Sequence, residues 1–248
     1  MDKKLQIIPG FHATREALRR GYPKIHEIWM SQGKRGPRRK EILLLSKEKG
    51  IPVVIKRSQE LDKTLTGTKN QGIMAMAEPF AYRDLNDIIR LSRNDGYGLV
   101  IVADHITDEG NLGALIRSAA FFGAQGMILP KDRSAKVTDR VMKRSSGACA
   151  HLSVAMEVNL GRALDILNKE GFWIIGAEGE GEETLYDFDW KRDLALILGS
   201  EDRGLSRSVR DRCHQLVRIP RLGQVDSLNV SVACGIILSE ITRQRGFA

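Results

Sequence analysis

Two five-residue blocks, Leu-Val-Ile-Val-Ala at 99–103 and Leu-Ala-Leu-Ile-Leu at 194–198, are apolar throughout and constrain this chain more than any other feature. A strand with one face in water alternates apolar and polar residues, whereas a strand without alternation needs cover on both faces. Further strands are predicted at 126–129, 152–155, 172–175 and 216–219. Helical patterns fall between them, at 112–122, 136–145, 160–169 and 227–243. This βαβαβα alternation predicts a mostly parallel sheet with helices on both sides. With 248 residues, 42% of them hydrophobic, the chain can bury such a core.

The first third has its own pattern. Helices are predicted at 11–20, at 37–49 (Ile42, Leu43 and Leu45 inward) and at 58–65, with strands at 25–30, 52–55 and 72–77. These make a small α/β domain of ~75 residues. Pro79 to Arg83 reads as a linker and 85–92 as a helix. The division is therefore 1–79, a connecting segment 80–95, and 96–248. Charge follows the same division. Residues 1–79 hold 17 basic and 8 acidic side chains (+9), leaving 22 and 23 for the remainder (−1). A basic small domain beside a neutral larger one suggests that the first faces a polyanion. Basic density peaks at Lys34, Arg35, Arg38, Arg39 and Lys40, around Gly36 and Pro37. This run is either a solvated loop or an RNA contact; phosphate contacts position a protein without reading bases.

Other classes are excluded. No apolar run reaches the roughly 18 residues that cross a bilayer. The opening Met1-Asp2-Lys3-Lys4-Leu5 lacks the apolar stretch of a signal peptide, so a cytoplasmic location is expected. Cys149, Cys213 and Cys234 form no CxxC pair, and the five histidines have no ligand spacing, so neither a disulfide scaffold nor a metal site is expected.

In open parallel sheets, ligands bind beyond the carboxyl ends of the strands. Three segments there carry chemistry. After 99–103 comes Asp104-His105-Ile106-Thr107-Asp108-Glu109-Gly110-Asn111-Leu112-Gly113, in which Asn111 suits an N-cap. Arg117 follows as the only charge between Leu112 and Ala124. It is a surface arginine, a structural ion pair, or a contact to phosphate or substrate oxygen. After 194–198 comes Gly199-Ser200-Glu201-Asp202-Arg203-Gly204. This is neither a Walker A loop nor a dinucleotide fingerprint, and its acidic pair suits a neutral or cationic ligand better than a phosphate. After 216–219 comes Pro220-Arg221-Leu222-Gly223-Gln224-Val225-Asp226-Ser227-Leu228-Asn229-Val230-Ser231, whose polar groups cluster at a helix start with a cap expected at Asp226 or Ser227.

Together, in this order, the three segments resemble the motifs of the SpoU/TrmH family of the SPOUT superfamily, the RNA 2′-O-ribose methyltransferases. The match covers 98–245. Residues 8–13 and 70–73 resemble the opening and closing segments of the L30e-like RNA-binding domain that precedes the catalytic domain in many members. Lys131-Asp132-Arg133-Ser134-Ala135 is similar to the subgroup that methylates a guanosine of 23S rRNA. The resemblance implies an α/β fold with a C-terminal trefoil knot, homodimerisation through the knotted domain, and S-adenosylmethionine held around Gly199, Gly204, Ile219, Pro220 and Leu228. It implies that Arg117 serves in removing the 2′-hydroxyl proton or stabilises the alkoxide, that Asn111, Glu201 and Asn229 orient it and the ribose, and that Ser227 binds phosphate. Arg221 stands where the family usually has methionine, and Asp202 where glycine is common.

Three functions are therefore compared: a 23S rRNA (or tRNA) 2′-O-methyltransferase, a non-catalytic RNA-binding or ribosome-assembly protein, and a nicotinamide-dependent oxidoreductase. The presence of Arg117, Glu201 and Asn229 argues against the second. The missing glycine fingerprint after Ala103 argues against the third.

Overall fold

The computed structural model describes residues 5–33, 36–64, 71–93, 96–201 and 203–246. Lys34, Arg35, Asn70 and Asp202 lie outside the described residues. The chain divides into two compact units. One comprises Met1–Ala81 with Lys136–His151, the other Tyr82–Ala135 with Leu152–Ala248. Segment 136–151, which the sequence assigns to the second domain, thus packs with the first.

The first unit begins with strand β1 (Gln6–Pro9) and helix α1 (Phe11–Arg20). Phe11, Thr14, Ala17 and Leu18 of α1 recur at helical spacing and are buried. Gly21 ends it at φ 71°, donating its N–H to Ala17 O at 2.8 Å. Strand β2 (Ile25–Ser31), helix α2 (Pro37–Glu48), strand β3 (Val53–Lys56), helix α3 (Ser58–Thr64) and strand β4 (Ile73–Ala77) follow. The sheet order is β1-β4-β2-β3, antiparallel except for the β2–β3 pair. Helix α2 turns only Ile42 and Ser46 inward; Leu43, expected inside, is 40% exposed. One covering helix buries one stripe, and Leu43 falls outside it.

The second unit opens with α4 (Leu85–Leu91), β5 (Leu99–Ala103), α5 (Glu109–Phe121) and β6 (Gly126–Pro130). The chain then crosses to the first unit, where α6 (Asp139–Arg144) and a 3₁₀ turn (Ala148–Ala150) lie. Helix α6 starts three residues later than expected because Thr138 caps it, its Oγ1 accepting from Val141 N at 3.3 Å. Back in the second unit come β7 (Ser153–Glu157), α7 (Leu160–Lys169), β8 (Trp173–Ala177), β9 (Glu183–Thr184), β10 (Leu194–Leu198), α8 (Arg207–Arg210), β11 (Gln215–Arg218) and α9 (Val230–Arg245). The sheet is parallel throughout, in the order β7-β6-β5-β10-β8-β11-β9. All five residues of β5, β6 and β10 are buried, as their sequences require. Arg245 ties down the end of α9, donating to the carbonyls of Trp190, Tyr97 and Arg192 at 3.1, 2.9 and 2.7 Å. No described helix is long and apolar enough to cross a membrane.

Candidate active site

From β5 the chain builds outward through β6 to β7, while β10 occupies the other flank of β5. The order reverses between β5 and β10, and such a reversal leaves a crevice at the carboxyl ends of the two strands. Asp104 lies at that point, 1% exposed. Its Oδ1 is 2.6 Å from His105 Nδ1, and its Oδ2 accepts from Ser206 N at 2.6 Å. A single buried carboxylate thus joins the loop after β5 to the loop after β10. His105 itself is left-handed, at φ 56°.

Next, Asp108 starts α5, its Oδ1 accepting from Asn111 N at 2.7 Å. Asp108 is therefore the N-cap expected at Asn111, and the Asn111 side chain is released for other work. Its Nδ2 donates to Glu201 Oε1 at 3.0 Å. Asn229 Nδ2 donates to the same Oε1 at 2.6 Å and to Asn111 Oδ1 at 2.9 Å. Asn229 Oδ1 in turn accepts from Ser231 N at 2.9 Å, so Asn229 caps α9 in place of Asp226 or Ser227. Helix α9 consequently begins at Val230, and 219–229 is left as loop.

That loop walls a pocket of about 790 Å³, completed by segments 177–181 and 198–201 and by Gly204. Every residue expected to hold cofactor (Gly199, Gly204, Ile219, Pro220 and Leu228) lines it, as do Ser227 and Glu201. Ser200 N donates to Gly204 O at 3.1 Å and Gly204 N to Ser200 O at 2.9 Å. This tight turn leaves no room at Gly199, where a Cβ would lie 2.3 Å from the Gly204 carbonyl carbon. Gly204 sits at φ 63°, the left-handed region that favours glycine. Leu222 and Val225 are 101% and 77% exposed on the pocket wall. Among the described residues, no backbone N–H from 221 to 228 donates to another backbone group, which leaves these donors to water or to a ligand. Arg221 pairs with Asp226 at 2.9 Å across the loop.

Sequence reasoning missed the 177–181 wall. It brings Glu178 and Glu180 to the pocket, so with Glu201 and Asp226 four carboxylates line it, against Arg218 and Arg221. Glu178 Oε2 is buried and makes no hydrogen bond, although Arg210 Nη2 lies 3.2 Å away in an ion pair without hydrogen-bond alignment. An acidic wall with a buried carboxylate oxygen fits a cationic ligand. Behind the wall, burial, followed by the Glu178 and Asp104 charges, pushes the Cys213 thiol up to about 12. The Glu-Gly-Glu-Gly run at 178–181 carried the acidic signal, but without a motif to place it.

The structure joins Asn111, Glu201 and Asn229 directly. Arg117 is exposed on α5, six residues beyond Asn111, which is about 9 Å along the axis and about 240° around it. In the first unit, Arg38, Arg39 and Lys40 open α2. Arg38 and Arg15 both stack on the Phe11 ring, at 5.5 and 5.3 Å, and Arg39 Nη1 donates to Ser31 O at 2.7 Å.

Residues 98–239 match the SpoU rRNA methylase family, and residues 7–83 match the family described as RNA 2′-O ribose methyltransferase substrate binding. The chain is 37% identical over 243 residues, 98% of each chain, to the 23S rRNA (guanosine-2′-O-)-methyltransferase RlmB of Pseudomonas putida. It is 35% identical over 240 residues, 96% of each chain, to a putative TrmH family tRNA/rRNA methyltransferase of Staphylococcus haemolyticus. In fold it is similar to the SpoU methyltransferase AviRb from Streptomyces viridochromogenes, solved in complex with the cofactor AdoMet. The TM-score is 0.80 at 24% identity, covering 96% of this chain and 90% of that one.

Proposed function

Because the chain belongs to the SpoU rRNA methylase family, we propose that it transfers a methyl group from S-adenosylmethionine to the ribose 2′-hydroxyl of a guanosine in 23S rRNA. One observation carries the reading. Asn111, Glu201 and Asn229, from three segments 28 to 118 residues apart, meet on a single carboxylate oxygen, and that carboxylate also lines the pocket. A cluster assembled from such distant segments, and turned partly to solvent, contributes little to folding and is suited to orienting a substrate.

S-adenosylmethionine, when bound, supplies an electrophilic methyl group on a sulfonium. Gly199, Gly204, Ile219, Pro220 and Leu228 hold it through the close-packed turn and the free backbone donors of the loop. Glu178, Glu180 and Glu201 favour its positive charge. The 2′-hydroxyl is a weak nucleophile; its proton would pass to solvent water as its oxygen takes the methyl group, leaving S-adenosylhomocysteine. Arginine is nearly always protonated, so Arg117 acts as a fixed cation that stabilises the developing alkoxide. Asn111, Glu201 and Asn229 set the ribose, Ser227 holds a phosphate, and Lys34, Arg35, Arg38, Arg39 and Lys40 contact the RNA from the first unit.

The C-terminal segment forms a trefoil knot. Support comes from β11 lying between β8 and β9, and from α9 returning to pack on α5. The protein pairs with a second copy through this domain. Phe121 of α5 and Val232 of α9, 81% and 48% exposed, supply an apolar face for it. The enzyme acts in the cytoplasm.

The test incubates the protein with tritiated S-adenosylmethionine and either unmodified 23S rRNA or bulk tRNA, then maps 2′-O-methyl groups by primer-extension stops at low nucleotide concentration. A single stop in 23S rRNA is expected. Label in tRNA alone overturns the substrate, and absence of cofactor binding overturns the reaction.

A further inference from the structure

The substrate-binding body of the protein is not the first 80 residues alone. Segment 136–151 leaves the second unit after β6, joins the first, and returns at β7. Its attachments are specific. Gln6 Nε2 in β1 donates to Val137 O at 3.0 Å, and His151 Nε2 meets Glu16 Oε2 of α1 at 3.0 Å. Gly147, at φ 92°, passes so close to α1 that a Cβ there would lie 2.7 Å from Glu16 Cβ and 3.0 Å from His12 O. Val137, Val141, Met142, Cys149 and Ala150 are buried.

The outward side of the segment is basic. Lys136, Arg140 and Arg144 are exposed and Lys143 is half-buried, against one acid, Asp139. Arg140, Lys143 and Arg144 recur at three- and four-residue spacing, on the side of α6 opposite Val141 and Met142. The first unit as folded therefore holds 21 basic and 9 acidic residues (+12), and the second 18 and 22 (−4). The charge contrast is sharper in the folded units than along the chain, because a cationic segment of the methylase region sits on the basic body. A polyanion that binds α1 and α2 meets these cations as part of the same +12 unit.

We propose that Lys136, Arg140, Lys143 and Arg144 contact phosphates of the RNA substrate, and that the RNA-binding body is assembled from both 1–81 and 136–151. The inference rests on the RNA-methyltransferase reading above. Phosphate contacts release counterions, and each one steepens the fall of affinity with salt by about 0.7–0.9 in log–log slope.

The test measures binding of full-length protein to a 23S rRNA fragment across a salt series. The quadruple variant Lys136→Gln, Arg140→Gln, Lys143→Gln, Arg144→Gln is expected to flatten the slope by about 3 and to weaken binding at least tenfold near 0.15 M salt. Its affinity for S-adenosylmethionine should stay within twofold of wild type. Arg140 and Lys143 also have interactions within the protein, so a second variant, Lys136→Gln with Arg144→Gln, isolates the two exposed cations outside those contacts. It is expected to flatten the slope by about 1.5. An unchanged slope in the double variant, folded by circular dichroism, overturns the proposal. Normal binding of naked RNA with weakened binding of ribosomal particles overturns it too, assigning these cations to a protein partner. Failure of the wild-type protein to bind the RNA at all refutes the substrate reading instead.

Discussion

Asn229 holds two structures together, and two substitutions separate them. Its Oδ1 caps α9, and its Nδ2 donates to Glu201 and Asn111. Asn229→Ala removes both. Loss of a cap costs about 1 kcal/mol. The donated bonds are solvent-exposed and share one donor nitrogen, so they add about 0.5–1 kcal/mol at the low end of the usual range. The sum, about 1.5–2 kcal/mol, lowers the melting temperature by about 3–8 °C for a chain of this size. Asn229→Asp keeps the cap, because Asp caps as well as Asn. It also places a carboxylate where Nδ2 now lies 2.6 Å from Glu201 Oε1. The Asp variant should therefore approach wild-type stability as the pH falls and one of the two carboxylates takes a proton, while the Ala variant should show no such recovery. Both should lose at least about 10²-fold in kcat/KM for methyl transfer, the cost of misplacing a reacting group by about 1 Å. Both should hold S-adenosylmethionine nearly normally. The assays are thermal melts at pH 5 and 8 and single-turnover methyl transfer. Parallel pH behaviour of the two variants, or near-normal transfer by either, would refute the assignment of this cluster to substrate orientation.

The same geometry makes further expectations. Gly199→Ala must displace the 199–204 turn by about 1 Å to clear the Gly204 carbonyl, so cofactor affinity by calorimetry should fall at least tenfold. Gly223→Ala on the same pocket wall, where a Cβ meets nothing within 4 Å, should leave affinity unchanged. Asp104→Ala strands Ser206 N and His105 Nδ1 beside a buried site; a loss of about 3 kcal/mol is expected, read as a melting shift of about 6–12 °C, with Asp104→Asn falling between because it still offers Ser206 an acceptor. Arg117→Ala should abolish methyl transfer while cofactor binding stays nearly intact; loss of both would make Arg117 structural. At Glu16, burial raises the carboxyl pKa, but hydrogen bonds from His151 and Arg15 outweigh it and hold the group below its ordinary 4.5. A depressed carboxyl stabilises above its unfolded value and loses that contribution as pH falls through the folded one. Wild type should therefore exceed Glu16→Gln in melting temperature at pH 7, and the difference should shrink as pH falls below 4.5 and vanish only below the lower folded-state value.

How much of this could be read in the sequence depends on the range of the interaction. Strands β5 and β10 were legible because a sheet buried on both faces leaves a local signature, five apolar residues between turns. Strand β9 has two residues, too few for any periodicity, and its pairing with β11 exists only once the sheet is built. The starts of α5 and α9 slipped by three residues, where several capping residues stood in line. Asp108, Asn111, Asp226, Ser227 and Asn229 are all competent caps, and the choice among them falls to tertiary partners. Asn111 and Glu201 were singled out by their motifs, yet nothing local could place an amide 90 residues away on a carboxylate oxygen. Asp104 opens the first of the three segments, but nothing local assigns it a role. Its importance comes from burial, which the packing of the β10 loop creates.

Charge was legible in sum but misassigned by position. A boundary drawn where composition changes places Lys136–His151 with the methylase region, because the residues on either side, Met127–Leu129 and Val154–Ala155, are buried strands of its sheet. The anchors that take the segment elsewhere are a glutamine 131 residues earlier and a glutamate 135 residues earlier. Neither residue type signals such a contact. Because the segment is cationic, moving it turns +9 against −1 into +12 against −4. If, as proposed, RNA is held by one unit and the chemistry is done in the other, that contrast has a physical consequence. A polyanion would be drawn to the basic unit, while the carboxylates of Glu178, Glu180 and Glu201 in the pocket of the other unit favour a cation. On the proposed reading, the two ligands would be sorted by sign of charge before any specific contact forms.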